Sequence, residues 1–456
     1  MTHRESGSSR TRRLLDRAAR GLARLLLAVF FRSAEVQGLE RVPKSGPVLF
    51  VANHGNALVD PMVLVALLPR LPRFLAKHTL WSNAAVRPLL ELAGAIPVYR
   101  AQEGDTGRNQ EMFARCFEEL GAGGAVALFP EGISHDRPEL QPLRTGAARI
   151  ALGAAAKEAR VVILPIGLTF DDKQSFRSRL LLCVGEPITV AGGSADDPEE
   201  VRALTDRIDA GLRDVTLNTD SWHTAQLVAR AAEIYASAPE REMPGEAALH
   251  ERFSLRHSFG KGYEATRAAQ PERVAALEAM ARRYELLLEA FGLRDDHVTA
   301  DYPLAYVAGY MSDKLLALVA WALIAALGYA LNALPYHAVG RIAKRVEHEA
   351  DQPATFKLIA GLFLFPLTWA IETALAGFAW GAPGAISAAL IAPITGWVAL
   401  LYFERTESFW REVRAYLTLR AVPHRATELR VLRRMMREEL LTLVGEPAAP
   451  SGGTIG

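Results

Sequence analysis

The sequence predicts an α/β domain in its first half, then a helical connector, then transmembrane helices at the C-terminal end. Three observations carry this. Short apolar runs alternate with helix-periodic stretches between 45 and 190; residues 196–300 are charged and helix-periodic; and two long uncharged stretches follow.

Taken in order, residues 1–33 form an amphipathic, membrane-associated helix. Leu14, Leu15, Ala18, Leu22, Leu25, Leu26 and Val29 share one face, and Arg13, Arg17, Arg20 and Arg24 share another. Basic residues opposite leucines suit a helix lying on anionic lipid, and equally a helix packed on its own domain. The apolar run Leu25–Phe31 ends at Arg32 without a small-residue cleavage site, so it does not read as a signal peptide.

The α/β domain is expected over 34–195. Pro47–Ala52, Ala125–Phe129, Val161–Leu168 and Leu180–Val184 read as buried strands, while 107–120 and 145–158 read as helices. Residues 196–312 read as a helical connector with turns at Ser237-Ala238-Pro239 and Pro244-Gly245. Leu315–Leu334 is 20 residues without a formal charge, and Leu358–Phe403 contains only Glu372. Crossing the hydrocarbon core takes about 20 residues. The second stretch is therefore long enough to cross twice, broken at Gly381-Ala382-Pro383-Gly384, and transmembrane helices are expected over 313–404. Glu372, an acid inside such a stretch, is a candidate functional residue or a helix-pairing acid. Residues 405–456 form a basic helical tail carrying nine arginines, ending in a Pro/Gly/Ser-rich disordered stretch.

Composition narrows the function. Lys and Arg number 52 against 51 Asp and Glu, so no global basic field points to nucleic acid. Two cysteines, Cys116 and Cys183, make neither a disulfide framework nor a zinc site and read as buried small hydrophobes in a reducing compartment. No histidine cluster has metal-ligand spacing, and no Gly-x-Ser-x-Gly elbow occurs.

Four short motifs carry chemistry. In Asn53-His54-Gly55-Asn56-Ala57-Leu58-Val59-Asp60-Pro61 an imidazole just past a strand end is followed by a carboxylate. Such a pair can take a proton from an attacking hydroxyl, the carboxylate fixing the tautomer. Asp60 before Pro61 also reads as a helix cap. Residues six apart share no helix face, so a turn must join them. In Gly94–Arg100 an apolar strand delivers Arg100, a candidate phosphate fork. Phe129–Asp136 places Glu131 and Gly132 in a turn, Glu131 as an acceptor for substrate hydroxyls, with Arg144 a second phosphate candidate and His135–Asp136 a competing acid/base pair. Val161–Ile166 reads as scaffold or acyl-pocket wall.

The order and spacing of these four motifs resemble the glycerophosphate acyltransferase superfamily over residues 45–170: a His–Asp block, a Gly…Ile…Arg block, Phe-Pro-Glu-Gly, then Val…Pro-Ile. The common block has four residues between His and Asp; here there are five, Gly55 to Val59. That spacing and the extended second and third motifs are similar to the fungal-type enzymes that use glycerol 3-phosphate or dihydroxyacetone phosphate, which also carry membrane segments after the catalytic domain.

The resemblance implies a glycerolipid acyltransferase-type catalytic domain, with His54 as base, Asp60 its orienting partner, and Arg100, Glu131 and Gly132 at the glycerol-phosphate end. It implies no cofactor: acyl-CoA or acyl-carrier protein is a co-substrate, and the bilayer is the partner. The expected reaction moves an acyl group to the sn-1 hydroxyl of glycerol 3-phosphate or dihydroxyacetone phosphate. The alternatives are a 1-acylglycerol-3-phosphate or other lysophospholipid acyltransferase and, in another class, a non-catalytic lipid-binding scaffold. A cytoplasmic donor places the catalytic domain on that face. Arg341, Lys344, Arg345 and Lys357 favour a cytoplasmic loop at 335–357, a hairpin at 358–403, and a re-entrant or interfacial 315–334.

Overall fold

The computed structural model describes residues 2–84, 86–99, 109–157, 160–172, 176–236, 249–299, 304–346 and 353–444. The chain divides into two compact units: Met1–Ser221 with Ile342–Ala360, and Trp222–Arg341 with Gly361–Gly456.

In the first unit the elements run α1 (Thr2–Phe30), β1 (Phe31–Gln37), β2 (Val48–Ala52), α2 (Val59–Leu67), β3 (Arg73–Lys77), α3 (Arg87–Ala93), β4 (Ile96–Val98), α4 (Asn109–Gly121), β5 (Ala125–Leu128), α5 (Gly146–Ala155), β6 (Val161–Phe170), β7 (Ser178–Val184), β8 (Ile188–Val190) and α6 (Pro198–Val215). The strands form one mixed sheet in the order β1-β7-β6-β2-β5-β3-β4, with β8 also on β6. β2 pairs parallel with both β5 and β6. The ten-residue β6 is shared along its length, its first residues pairing antiparallel with β8 and its last with β7.

Every side chain of β2 is buried, because both faces of the sheet are covered. Val48, Phe50 and Ala52 enter one core with α1 and α2, while Leu49 and Val51 enter the other with α4, α5 and α6. Val201, Leu204, Ile208 and Leu212 of α6 are in that second core, so α6 belongs to the first unit, and the helical region expected from 196 divides after Ser221.

The N-terminal helix packs by a face other than the leucine face. Ala19, Ala23, Leu27 and Phe30 are buried, while Leu14, Leu15 and Leu25 are 64%, 42% and 61% exposed. Arg20 and Arg24 donate to the carbonyls of Pro69 and Ala66, at the C-terminal end of α2, where backbone acceptors lack helical partners.

The second unit holds α7 (Trp222–Ala236), α8 (Leu249–Ala269), α9 (Pro271–Phe291), α10 (Asp295–Thr299), most of α11 (Leu304–Val346), most of α12 (Pro353–Ala421) and α13 (Pro423–Val444). Leu227, Tyr284, Leu288, Leu429, Met436 and Leu440 share one core. Arg433 binds both oxygens of buried Asp295, which also accepts from the Tyr284 hydroxyl. The basic tail is thus built into the helical body as far as Val444; its Pro/Gly/Ser-rich end lies outside the described residues.

Two helical segments, Lys314–Ala343 and Thr355–Ala421, are long and apolar enough to cross a membrane. The second is interrupted at Gly381, whose φ of 68° and ψ of −162° are not helical. A Cβ on Gly377 would lie 3.2 Å from that of Ala385, so the chain reverses there into two arms, at the break expected from Gly381-Ala382-Pro383-Gly384. Asn332 of α11 joins both arms: its amide donates to the Ala392 carbonyl and accepts from the Trp369 indole. Leu316, Leu323, Phe378 and Trp380 are 72%, 84%, 94% and 74% exposed, an outward apolar surface. One oxygen of Glu372 is buried without a partner among the described residues.

Candidate active site

Parallel neighbours β2 and β5 end on the same side of the sheet, which is where open α/β sheets place their sites. The turn after β2 carries His54, and the turn after β5 carries Phe129–His135. Asn53 continues the β2–β6 ladder with its side chain, donating to the Leu168 carbonyl and accepting from the Leu168 N–H. This fixes the residue immediately before His54.

His54 and Asp60 meet as the sequence requires. The turn through Gly55–Leu58 brings His54 Nδ1 to 3.0 Å from Asp60 Oδ2, so the five-residue spacing closes the pair. The Asp60 side chain has no solvent exposure; that of His54 has 15%. Asp60 is not a helix cap. The cap position is Leu58, and the carboxylate accepts instead from the Asn56 N–H at 2.7 Å. Because a carboxylate only accepts, the imidazole proton sits on Nδ1. Nε2 makes no hydrogen bond among the described residues and offers its lone pair. The Phe129 ring stacks on the imidazole, 4.0 Å between centroids and 10° between planes, and fixes the plane of the ring.

Glu131 has a different place from the one expected of an acceptor for substrate hydroxyls. Its side chain is wholly buried and both oxygens are occupied. Oε1 accepts from the His54 N–H at 2.8 Å, and Oε2 accepts from the Gln141 N–H at 2.8 Å and contacts His135 Nε2. The His135 N–H donates to the His54 carbonyl at 3.1 Å. His135 is therefore joined to the His54–Asp60 pair in one network, with Glu131 bracing the His54 turn. Gly132 has φ +75°, and a Cβ there would stand 2.6 Å from Nε of Arg144. Arg144 is exposed and its N–H donates to the Pro130 carbonyl, so glycine leaves room for a solvent-facing guanidinium beside the turn. Arg100 lies outside the described residues. The residue before it is held from both sides by Asn109, which accepts from the Tyr99 N–H and donates to the Tyr99 carbonyl.

A further support comes from far along the chain. Thr355 Oγ1 accepts from the Leu58 N–H at 3.1 Å, and Leu358 enters the core around α2. The first turns of α12 thereby grip the turn between His54 and Asp60.

Residues 33–169 match the acyltransferase family model. Residues 241–448 match the model of the glycerol-3-phosphate acyltransferase 2 C-terminal domain. Over residues 33–169 the chain thus carries an acyltransferase-type domain. Its resemblance to the fungal-type branch, read from the motifs, is borne out by the relatives. It is 33% identical to glycerol-3-phosphate O-acyltransferase 2 of Saccharomyces cerevisiae, over 42% of this chain and 26% of that protein. It is 27% identical to glycerol-3-phosphate O-acyltransferase 1 of the same yeast, over 57% of this chain and 36% of that one. An uncharacterized acyltransferase of Schizosaccharomyces pombe matches at 23% identity over 92% of this chain and 78% of its own length. The matches to the two Saccharomyces relatives thus span 26% and 36% of those proteins' lengths.

Phe129 as a ring platform, Gln141 and Asn53 as braces, and Thr355 as a distant prop were not marked in the sequence. Phe129 opens the Phe-Pro-Glu-Gly motif and could have been found there. The others act through contacts that no local pattern announces.

Proposed function

We propose that this chain is an O-acyltransferase that moves a fatty acyl group from acyl-CoA or acyl-carrier protein to the sn-1 hydroxyl of glycerol 3-phosphate. The observation that carries it is the His54–Asp60 contact at the sheet's carboxyl edge, with Nε2 left open. His54 Nε2 takes the acceptor hydroxyl proton as the oxygen attacks the thioester carbonyl. Asp60 holds the ring and stabilises the imidazolium. The tetrahedral intermediate collapses with loss of the thiolate, which takes up the proton, giving thiol and lysophosphatidate. Arg144 and Arg100 bind the phosphate, and Gly132 opens the turn for that end of the acceptor. The two yeast relatives support the choice of acceptor.

The protein sits in the bilayer through its apolar helices, with the exposed leucines of α1 in the interface. The catalytic unit faces the cytoplasm, where the donor is. Residues 342–360 belong to the same compact unit and share that face. The arms on either side of Gly381 cross and return, and α11 is re-entrant.

The test is transfer of a labelled acyl group by the purified chain, from acyl-CoA and from acyl-carrier protein, to glycerol 3-phosphate, dihydroxyacetone phosphate and 1-acylglycerol 3-phosphate, with His54→Ala alongside. Transfer to glycerol 3-phosphate that His54→Ala abolishes is the expected result. Transfer only to the lysolipid moves the assignment to the second acylation. No transfer from either thioester donor leaves a lipid-binding scaffold.

A further inference from the structure

In the sequence His135 stands beside Asp136 as a rival acid/base pair, but both nitrogens of its ring are occupied within the protein. Nδ1 accepts the Arg137 N–H at 3.2 Å, and Nε2 contacts Oε2 of Glu131. A neutral imidazole has one acceptor and one donor nitrogen; an imidazolium has no acceptor. A ring that accepts at Nδ1 is therefore neutral, with its proton on Nε2 and donated to Glu131. Glu131 receives two more donors at 2.8 Å each, the His54 N–H on Oε1 and the Gln141 N–H on Oε2. The circuit closes through Arg137, whose guanidinium donates to the Gln141 side-chain oxygen at 2.9 Å. Two bonds anchor it from outside. The Leu140 N–H donates to Asn218 Oδ1 at 3.0 Å, and the Thr219 N–H to the Pro138 carbonyl at 3.3 Å, so this stretch is tied to the chain after α6.

We infer that His135 is a positioning residue for the acyl transfer, a neutral donor that sets the His54 peptide through Glu131 and moves no proton itself. The inference rests on the reading of His54 as the base. The His54 peptide is held on both sides: Glu131 takes its N–H, and the His135 N–H donates to its carbonyl at 3.1 Å. The His135 side chain, by holding Oε2, fixes where Oε1 stands. A general base needs a lone pair turned to the substrate. Nε2 of His54 has one, whereas the lone pair of His135 is spent on Arg137 and its proton on Glu131. Of the two histidines in the network, one is left to do chemistry and the other aims it, as supporting hydrogen bonds do around a reacting group.

The test compares His135→Ala, His135→Asn and His135→Gln in the full chain. A glutamine amide N–H reaches the place of Nε2, while the shorter asparagine reaches only that of Nδ1, and neither amide titrates. Two quantities are read: kcat per folded enzyme with whichever acceptor the parent uses, and hydrogen exchange of the peptide spanning residues 50–60, which needs no turnover. His135→Ala and His135→Asn should lower kcat about tenfold, leave KM for the acceptor nearly unchanged, and speed that exchange. His135→Gln should recover most of both. In a Glu131→Gln background His135→Ala should add little, since the two act through one contact. A merely structural role would lower the melting temperature in all three without that rank order. His135→Gln as inactive as His135→Ala, with parental melting temperature and parental exchange over 50–60, would make His135 a proton carrier and overturn the inference, as would losses that add in the double variant. Exchange that follows the expected order in a chain that transfers no acyl group would remove the acyltransferase reading and leave the brace standing.

Discussion

The His54 N–H donates to Oε1 of Glu131 over 2.8 Å, so the residue that carries the imidazole is held by a carboxylate from the neighbouring strand's turn. Both Glu131 oxygens are occupied within the protein, which separates two roles that motif reading merges. If Glu131 bound the acceptor, Glu131→Gln would chiefly raise KM for glycerol 3-phosphate. As a brace it acts through His54. The glutamine keeps one acceptor oxygen, but places an amide where Oε2 receives the Gln141 N–H. Losing such a buried contact costs about 1–3 kcal/mol. The expected outcome is a fall in kcat of about ten- to a hundredfold with KM nearly unchanged. A large rise in KM at constant kcat would return Glu131 to the substrate.

Asp60 offers a sharper case. It is buried, and Oδ2 receives both His54 Nδ1 and the Asn56 N–H. In Asp60→Asn the side chain keeps its volume but no longer forces the proton onto Nδ1. A ring in the other tautomer presents a donor where a base is needed. A comparable change in the serine protease triad costs about ten-thousandfold. Here kcat should drop by about a hundredfold or more, with the circular dichroism spectrum unchanged. An active Asp60→Asn enzyme would show that His54 is not the base.

The central strands are legible because β2, β5, β6 and β7 are continuous apolar runs, as strands covered on both faces must be. Edge strand β1, Phe31-Arg-Ser-Ala-Glu-Val-Gln, and β3, Arg73-Phe-Leu-Ala-Lys, are mixed in polarity and carry no such signal. The His54–Asp60 pair is legible because the two residues are near in sequence. The role of Glu131 is not, since its contact with His54 spans 77 positions and exists only because β2 and β5 are neighbours. The packing face of α1 is also hidden: small Ala19 and Ala23 beat larger leucines because they let two helices close together, a choice that the partner helix makes.

Thr355 lies 297 positions from Leu58, yet accepts its N–H at 3.1 Å in the turn that joins His54 to Asp60. Thr355→Val keeps the shape and removes the acceptor, stranding a part-buried donor at a cost of about 1–3 kcal/mol. The turn should loosen before the fold does. A several-fold loss in kcat, a lower melting temperature, and full recovery in Thr355→Ser are expected. Equal activity in Thr355→Val would show that the start of α12 has no hold on the site.

The two thiols make a prediction about pH. Burial raises Cys116 and Cys183 from the usual 9.0 to about 12, so neither is a nucleophile at neutral pH. Iodoacetamide at pH 8 should leave the folded protein unmodified and alkylate both cysteines once it is denatured. The same shift has a sign for stability. The unfolded chain gives up its thiol protons near pH 9.0 and the folded chain only near about 12. The thiols' contribution to stability is therefore fully present below pH 9 and is lost as pH rises towards 12. A double Cys→Ala variant should show a shallower loss of stability across that window than the parent. Rapid alkylation of the native chain at pH 8 would mean that β7 or α4 opens locally, exposing the core under the active site.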